Sequence, residues 1–122
     1  MLLSSTPAMA KEMPRPDLID LGIEALARCE SSGRSWVVNS YDRHGDSIGL
    51  LQFRRETFRE QMMKYKLLDT SDWEPADWEN WMYDGSLQKK LARLMIEDGQ
   101  IGRWGCRGKY EEVINNSPMR NQ

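Results

Sequence analysis

Apolar positions in this chain recur at helical spacing in three places and fall silent between them. Ile19, Ile23 and Leu26 are spaced by four and three, which puts them on one face of a helix. Pro14 and Pro16 bracket its start, Asp17 suits its first turn, and Gly33 supplies a left-handed stop, so a helix is predicted from about 17 to 32. Phe58, Met62 and Tyr65 mark a second, charged helix within "RRETFREQMMKYK". Leu87, Leu91, Leu94 and Met95 mark a third over about 86–98, ended by Gly99. Lys89 and Lys90 come early in that helix and Glu97 and Asp98 late, against the helix dipole, so tertiary packing must hold it.

The intervening stretches read differently. "RSWVVNSYDRHGDSIG" is polar and turn-rich, with "SWVVN" as its strand-like piece. It is too long for a simple connection, and loops of that length tend to carry function. "DTSDWEPADWENW" is acidic, aromatic and broken by Pro75. The chain after Lys109 carries little pattern, and its last stretch, "NNSPMRNQ", is expected to be loose.

One position breaks the apolar row of the first helix. The next residue on the face of Ile19, Ile23 and Leu26 is Glu30, in the last turn. There a carboxylate meets both apolar neighbours and the negative end of the dipole, so its pKa should rise. A glutamate tuned upward can donate a proton near neutral pH, as departure of a glycosidic oxygen requires. The plainer account is a solvated glutamate paired with Arg34, four residues on, worth about 0.3 kcal/mol.

Composition narrows the field. At 122 residues, 39% hydrophobic and 30% charged, the chain is one globular domain with a modest core. A net charge of -2 gives no basic field for nucleic acid. No apolar run approaches the ~20 residues of a membrane span. Five Trp and four Tyr are many for this length and suit either a core or a sugar-stacking groove. Ala8-Met9-Ala10 is an A-x-A pattern of the kind a signal peptidase reads, after an apolar run too short for a full signal peptide. Cys29 and Cys106 are too far apart for a zinc signature, and His44 adds little; no metal or cofactor is expected. In an exported protein they would form one disulfide, and in a cytosolic one they would be two buried thiols.

Taken in order, Cys29-Glu30-Ser31, Trp36, Ser47-Ile48-Gly49-Leu50-Leu51-Gln52-Phe53, Asp84-x-x-x-Gln88 and Trp104-Gly105-Cys106 resemble the lysozyme-like lytic transglycosylases. The resemblance is closest to the resuscitation-promoting-factor group of peptidoglycan-cleaving domains and covers about residues 20–107. It implies a mostly α, lysozyme-like α+β fold: a compact helical domain over 14–110 with a long substrate-groove loop, a leader at 1–13 and a tail at 111–122. It implies that Glu30 is the catalytic acid, and that Ser47, Gly49, Leu50, Gln52 and Tyr83 contact the sugar. It further implies that Cys29 and Cys106 pair, and that Trp36 and Trp104 are structural, near that disulfide. The stretch from Phe53 to Asp84 is longer and more acidic than the group's.

The activity implied is cleavage of the MurNAc–GlcNAc bond of peptidoglycan strands by a single glutamate, with 1,6-anhydro-muramic ends, by a monomer that is exported or carried on a phage particle. One alternative is a hydrolytic muramidase using Asp42 or Asp46, although "DRHGDS" also reads as a solvated turn. The other is an inactive glycan- or protein-binding module, with Trp73, Trp78 and Trp81 of the acidic segment as its partner surface.

Overall fold

The structure, a computed structural model, describes residues 17–42, 45–67 and 74–116. The leader, His44, Trp73 and the last six residues lie outside that range, as do the side chains of Asp42 and Trp78. Within it the chain is mostly helical: five α-helices and one two-stranded sheet.

Helix α1 spans Leu18–Ser31. The Asp17 carboxylate caps it by accepting the Asp20 N–H at 2.9 Å. The left-handed stop begins one residue before the expected Gly33, at Ser32 (φ 59°), and Gly33 continues it (φ 74°). Ile23 and Leu26 are buried as the pattern requires.

Strands β1 (Val38–Asp42) and β2 (Gly45–Ile48) pair antiparallel, Val38 opposite Ile48 and Asn39 opposite Ser47. The strand expected at "SWVVN" therefore begins three residues later, and its partner comes from the stretch that reads as a turn. That partner has no apolar alternation. It is held instead by polar contacts: Asp46 accepts from the Ser40 hydroxyl at 2.5 Å and from Arg55 Nη1 at 3.3 Å.

Helix α2 (Arg55–Lys64) buries Phe58 and Met62. Pro75 does not break the acidic segment but opens helix α3 (Pro75–Met82), since proline suits a first helical position whose N–H needs no partner. Helix α4 (Gly85–Glu97) is capped by Asp84, whose carboxylate accepts the Leu87 N–H at 3.1 Å. Its adverse charge order is offset across space: Lys89 pairs with Glu24, and Arg93 with Asp17 and Asp20, all on or next to α1.

A short 3-10 turn (Ile101–Arg103) leads to helix α5 (Arg107–Asn116), most of it where the sequence carries little pattern and its last two residues within the stretch expected to be loose. The expected boundary at residue 110 falls inside it. Helix α5 runs back along α1: Cys106 is disulfide-bonded to Cys29, and farther on the Tyr110 ring lies against Gly22. A Cβ at Gly22 would fall 2.4 Å from that ring. Gly in a helix interior costs about 1 kcal/mol relative to Ala, and here the missing side chain is what lets the two helices close.

Candidate active site

The segment Ile48–Phe53 joins β2 to α2 and closes on itself: Ile48 and Phe53 exchange both backbone hydrogen bonds, at 2.8 and 3.1 Å. Two glutamines hold it. Gln52, left-handed at φ 54°, donates from Nε2 to the Gly49 carbonyl at 2.9 Å and the Val37 carbonyl at 3.1 Å. Its Oε1 accepts from Asn39 Nδ2 at 2.7 Å. Gln88, fully buried in α4, donates to the carbonyls of Ile48 (2.9 Å) and Met82 (2.7 Å) and accepts from the Leu51 N–H at 2.7 Å. Gly49 makes that approach feasible. A Cβ there would sit 2.3 Å from Gln88 Nε2 and 2.6 Å from the Met82 carbonyl, and its φ of 88° suits glycine.

Against this segment lies a cleft of about 550 Å³ with Glu30 in its wall. Glu30 Oε2 accepts the backbone N–H of Cys106 at 3.1 Å, and no hydrogen bond to its Oε1 is made among the described residues. Half-burial pushes its pKa above the ordinary glutamate value, while the Cys106 N–H draws it partly back. The expected pairing with Arg34 is not formed; Arg34 Nε donates to the Ser31 carbonyl instead, at 3.2 Å. The disulfide joins the residue before Glu30 to the residue whose N–H it accepts, so the carboxylate is covalently and electrostatically tied to the start of α5.

Phe53 and Trp104 line the cleft edge to face, centroids 5.6 Å apart, and Trp104 Nε1 donates to the Leu51 carbonyl at 3.0 Å. Ser47, Gln52 and Met95 line it too, with Arg54 and Thr57 from the start of α2 and Arg103 and Gly105 from the turn before α5.

Of the expected sugar contacts, the cleft therefore brings Ser47 and Gln52 to Glu30, and both donor hydrogens of Gln52 are already spent on the chain itself. Gly49 and Leu50 do not line it; they are buried behind it, and Gly49 serves the Gln88 junction. Tyr83 ends α3 away from the cleft lining and is 37% exposed. Asp84 and Gln88, part of the same sequence pattern, serve as helix cap and as staple of the Ile48–Phe53 segment. Trp104 is buried as expected, whereas Trp36 is 66% exposed and packs no core. Asp46 is not among the lining residues, and the Ser40 hydroxyl and Arg55 hold its carboxyl below the ordinary range. Arg54, Thr57, Arg103 and Met95 carry no signal in the sequence that separates them from ordinary surface and core positions.

Comparison with known proteins gives no match: no family model, no curated protein and no solved structure resembles the chain closely enough to be counted.

Proposed function

We propose that this chain is a lysozyme-like, exported peptidoglycan lytic transglycosylase with Glu30 as its one acid and base. The observation that carries the reading is Glu30 itself, a half-buried carboxylic acid with raised pKa in the wall of a cleft, one oxygen anchored by the Cys106 N–H and the other open. A disulfide fits an oxidising compartment, and no helix among the described residues is long and apolar enough to cross a membrane.

In the mechanism, protonated Glu30 gives its proton to the glycosidic oxygen as the C1–O bond breaks. The substrate's N-acetyl group can stabilise the developing positive charge at C1. The sugar's 6-hydroxyl oxygen then bonds to C1 while its proton passes to the Glu30 carboxylate, which restores the acid and leaves a 1,6-anhydro end. No water enters, so no second carboxylate is needed. Asp46 does not line the cleft, and its carboxylate is engaged by the Ser40 hydroxyl and Arg55, so it fits poorly as the nucleophile of a two-carboxylate scheme, which needs a carboxylate about 5 Å from the acid.

Purified peptidoglycan digested with the protein should yield fragments lighter by one water than hydrolysed ones in mass spectrometry. Glu30→Gln, which can still accept the Cys106 N–H, should lower the rate at least ~100-fold, the usual worth of a positioned general acid. Loss of less than about tenfold, or hydrolysed ends together with inactivity of Asp46→Asn, would transfer the assignment to another group. Retained binding without turnover by the parent would favour the non-enzymatic module, for which Trp81, 41% exposed, offers an aromatic surface.

A further inference from the structure

The chain as a whole is slightly acidic, with 19 acidic and 17 basic side chains, yet the cleft lining reverses that balance. Its charged residues are one carboxylate, Glu30, and two guanidinium groups, Arg54 and Arg103.

These two arginines differ from others in the fold. Arg55 is committed to Glu79 and Asp46, and Arg93 to Asp17, Asp20 and Glu97. Arg54 and Arg103 have no ion pair or side-chain hydrogen bond among the described residues, and they reach the cleft from separate elements. Beside them, Ser47 lines the same cleft while 6% exposed, and its hydroxyl has no hydrogen-bond partner among the described residues. A buried hydroxyl left without a partner carries a desolvation cost that a ligand oxygen would relieve. The Thr57 hydroxyl is also without a partner there.

We propose that Arg54 and Arg103, with the Ser47 and Thr57 hydroxyls, form a carboxylate-binding subsite that selects glycans bearing free carboxylate groups over neutral ones. The physical reason is the match of a planar guanidinium fork to the two oxygens of a carboxylate, which a neutral amide cannot reproduce. The subsite names the substrate class of the transglycosylase reading on which it rests: a strand whose muramic residues carry their free lactyl carboxylate next to the bond addressed by Glu30.

Binding can be measured without turnover in Glu30→Gln protein. The probes are a soluble peptide-free peptidoglycan strand with its lactyl carboxylates, and the same strand with those groups converted to methylamides, each titrated by calorimetry. The carboxylate strand should bind at least about tenfold more tightly. Adding Arg54→Gln or Arg103→Gln should bring the ratio towards one while affinity for the amide strand stays the same, with an unchanged unfolding midpoint showing that the fold persists. Arg→Lys at either position should recover only part of the preference, because charge returns without the fork. Equal binding of the two strands, or arginine variants that weaken both equally, would overturn the subsite even if the parent protein cleaves peptidoglycan. A preserved carboxylate preference in a protein that never cleaves would overturn the enzymatic reading alone. Binding of neither strand would overturn the subsite, and cleavage of peptidoglycan by the parent protein then decides the enzymatic reading separately.

Discussion

Replacing Gln88 by Met tests whether the Gly49–Gln52 turn is held by one buried amide. Met has nearly the length and volume of Gln but cannot form its three hydrogen bonds. The Leu51 N–H and the Met82 carbonyl would then be left without another hydrogen-bond partner given by the described structure, whereas the Ile48 carbonyl keeps its bond from Phe53. Two buried orphan groups at about 1–3 kcal/mol each, less a small gain from the apolar side chain, give an expected loss of about 2–5 kcal/mol. That is a large share of the ~5–15 kcal/mol typical of a domain. Urea unfolding followed by tryptophan fluorescence should show a lower midpoint with an unchanged slope, the mark of altered stability rather than altered compactness. Gln88→Glu is the companion. Its carboxylate would face two carbonyl oxygens in a dry site, so the folded form favours the protonated acid and raises its pKa above the unfolded value. Stability is then retained at low pH and lost as pH rises through the folded pKa, so this variant should approach the parent only in acid. A Met variant within about 1 kcal/mol of the parent, or a Glu variant whose deficit does not depend on pH, would refute the staple.

Two further outcomes are expected. Arg93 holds the half-exposed Asp17 carboxyl below its ordinary pKa of 3.8, so the folded state favours the charged form. The pair therefore stabilises the fold above that pH and is progressively lost as pH falls below it. At neutral pH Asp17→Asn, which keeps the helix cap, should cost only about 0.5–1 kcal/mol after solvent screening, and Asp17→Ala about 1 kcal/mol more; parent and Asn variant should converge in acid denaturation. Replacing both cysteines by serine opens a link between positions 77 apart in sequence and should cost about 4 kcal/mol in the chain-entropy model. Scanning calorimetry should record that as a fall of roughly 15–30 °C in midpoint, and a fall under about 5 °C would count against a constraining disulfide.

The parts of the fold that were legible are those where one periodic row does the work. The row Ile19, Ile23, Leu26 located α1, and the row through Leu91 and Met95 located α4, because each buries one stripe against a common core. Helix α5 has the same kind of signal in Cys106, Tyr110 and Ile114, spaced by four, but Gly108 and the absence of a recognisable cap hid it. It packs on α1 through the Gly22–Tyr110 approach, which no local pattern encodes. Strand β2 was hidden for a related reason: it is held by Ser40 and Arg55 acting on Asp46, not by alternation. Within the site, Glu30 was legible as a charge on an apolar row. Gly49, Leu50 and Gln52 read as a binding motif, yet the turn they build spends its polar groups on its own backbone. Arg54 and Arg103 look like ordinary solvated arginines until the cleft brings them together.

The way Glu30 is held bears on how its acidity is set. If the Cys106 N–H were the stronger influence, it would favour the charged form and leave a poor proton donor at neutral pH. Burial is instead the larger effect, and the single N–H moderates it. One anchored oxygen is enough to aim the group, and leaving Oε1 open keeps a place for the proton. The residue and its surroundings come from elements far apart in sequence: the end of α1 supplies Glu30, and the Trp104–Gly105–Cys106 turn lies directly against it. The disulfide fixes those two segments together at the residue beside the acid. Proton affinity and aim at Glu30 thus share one structural cause, so loosening the Cys29–Cys106 link should lower its pKa towards the solvated value as well as misdirect it.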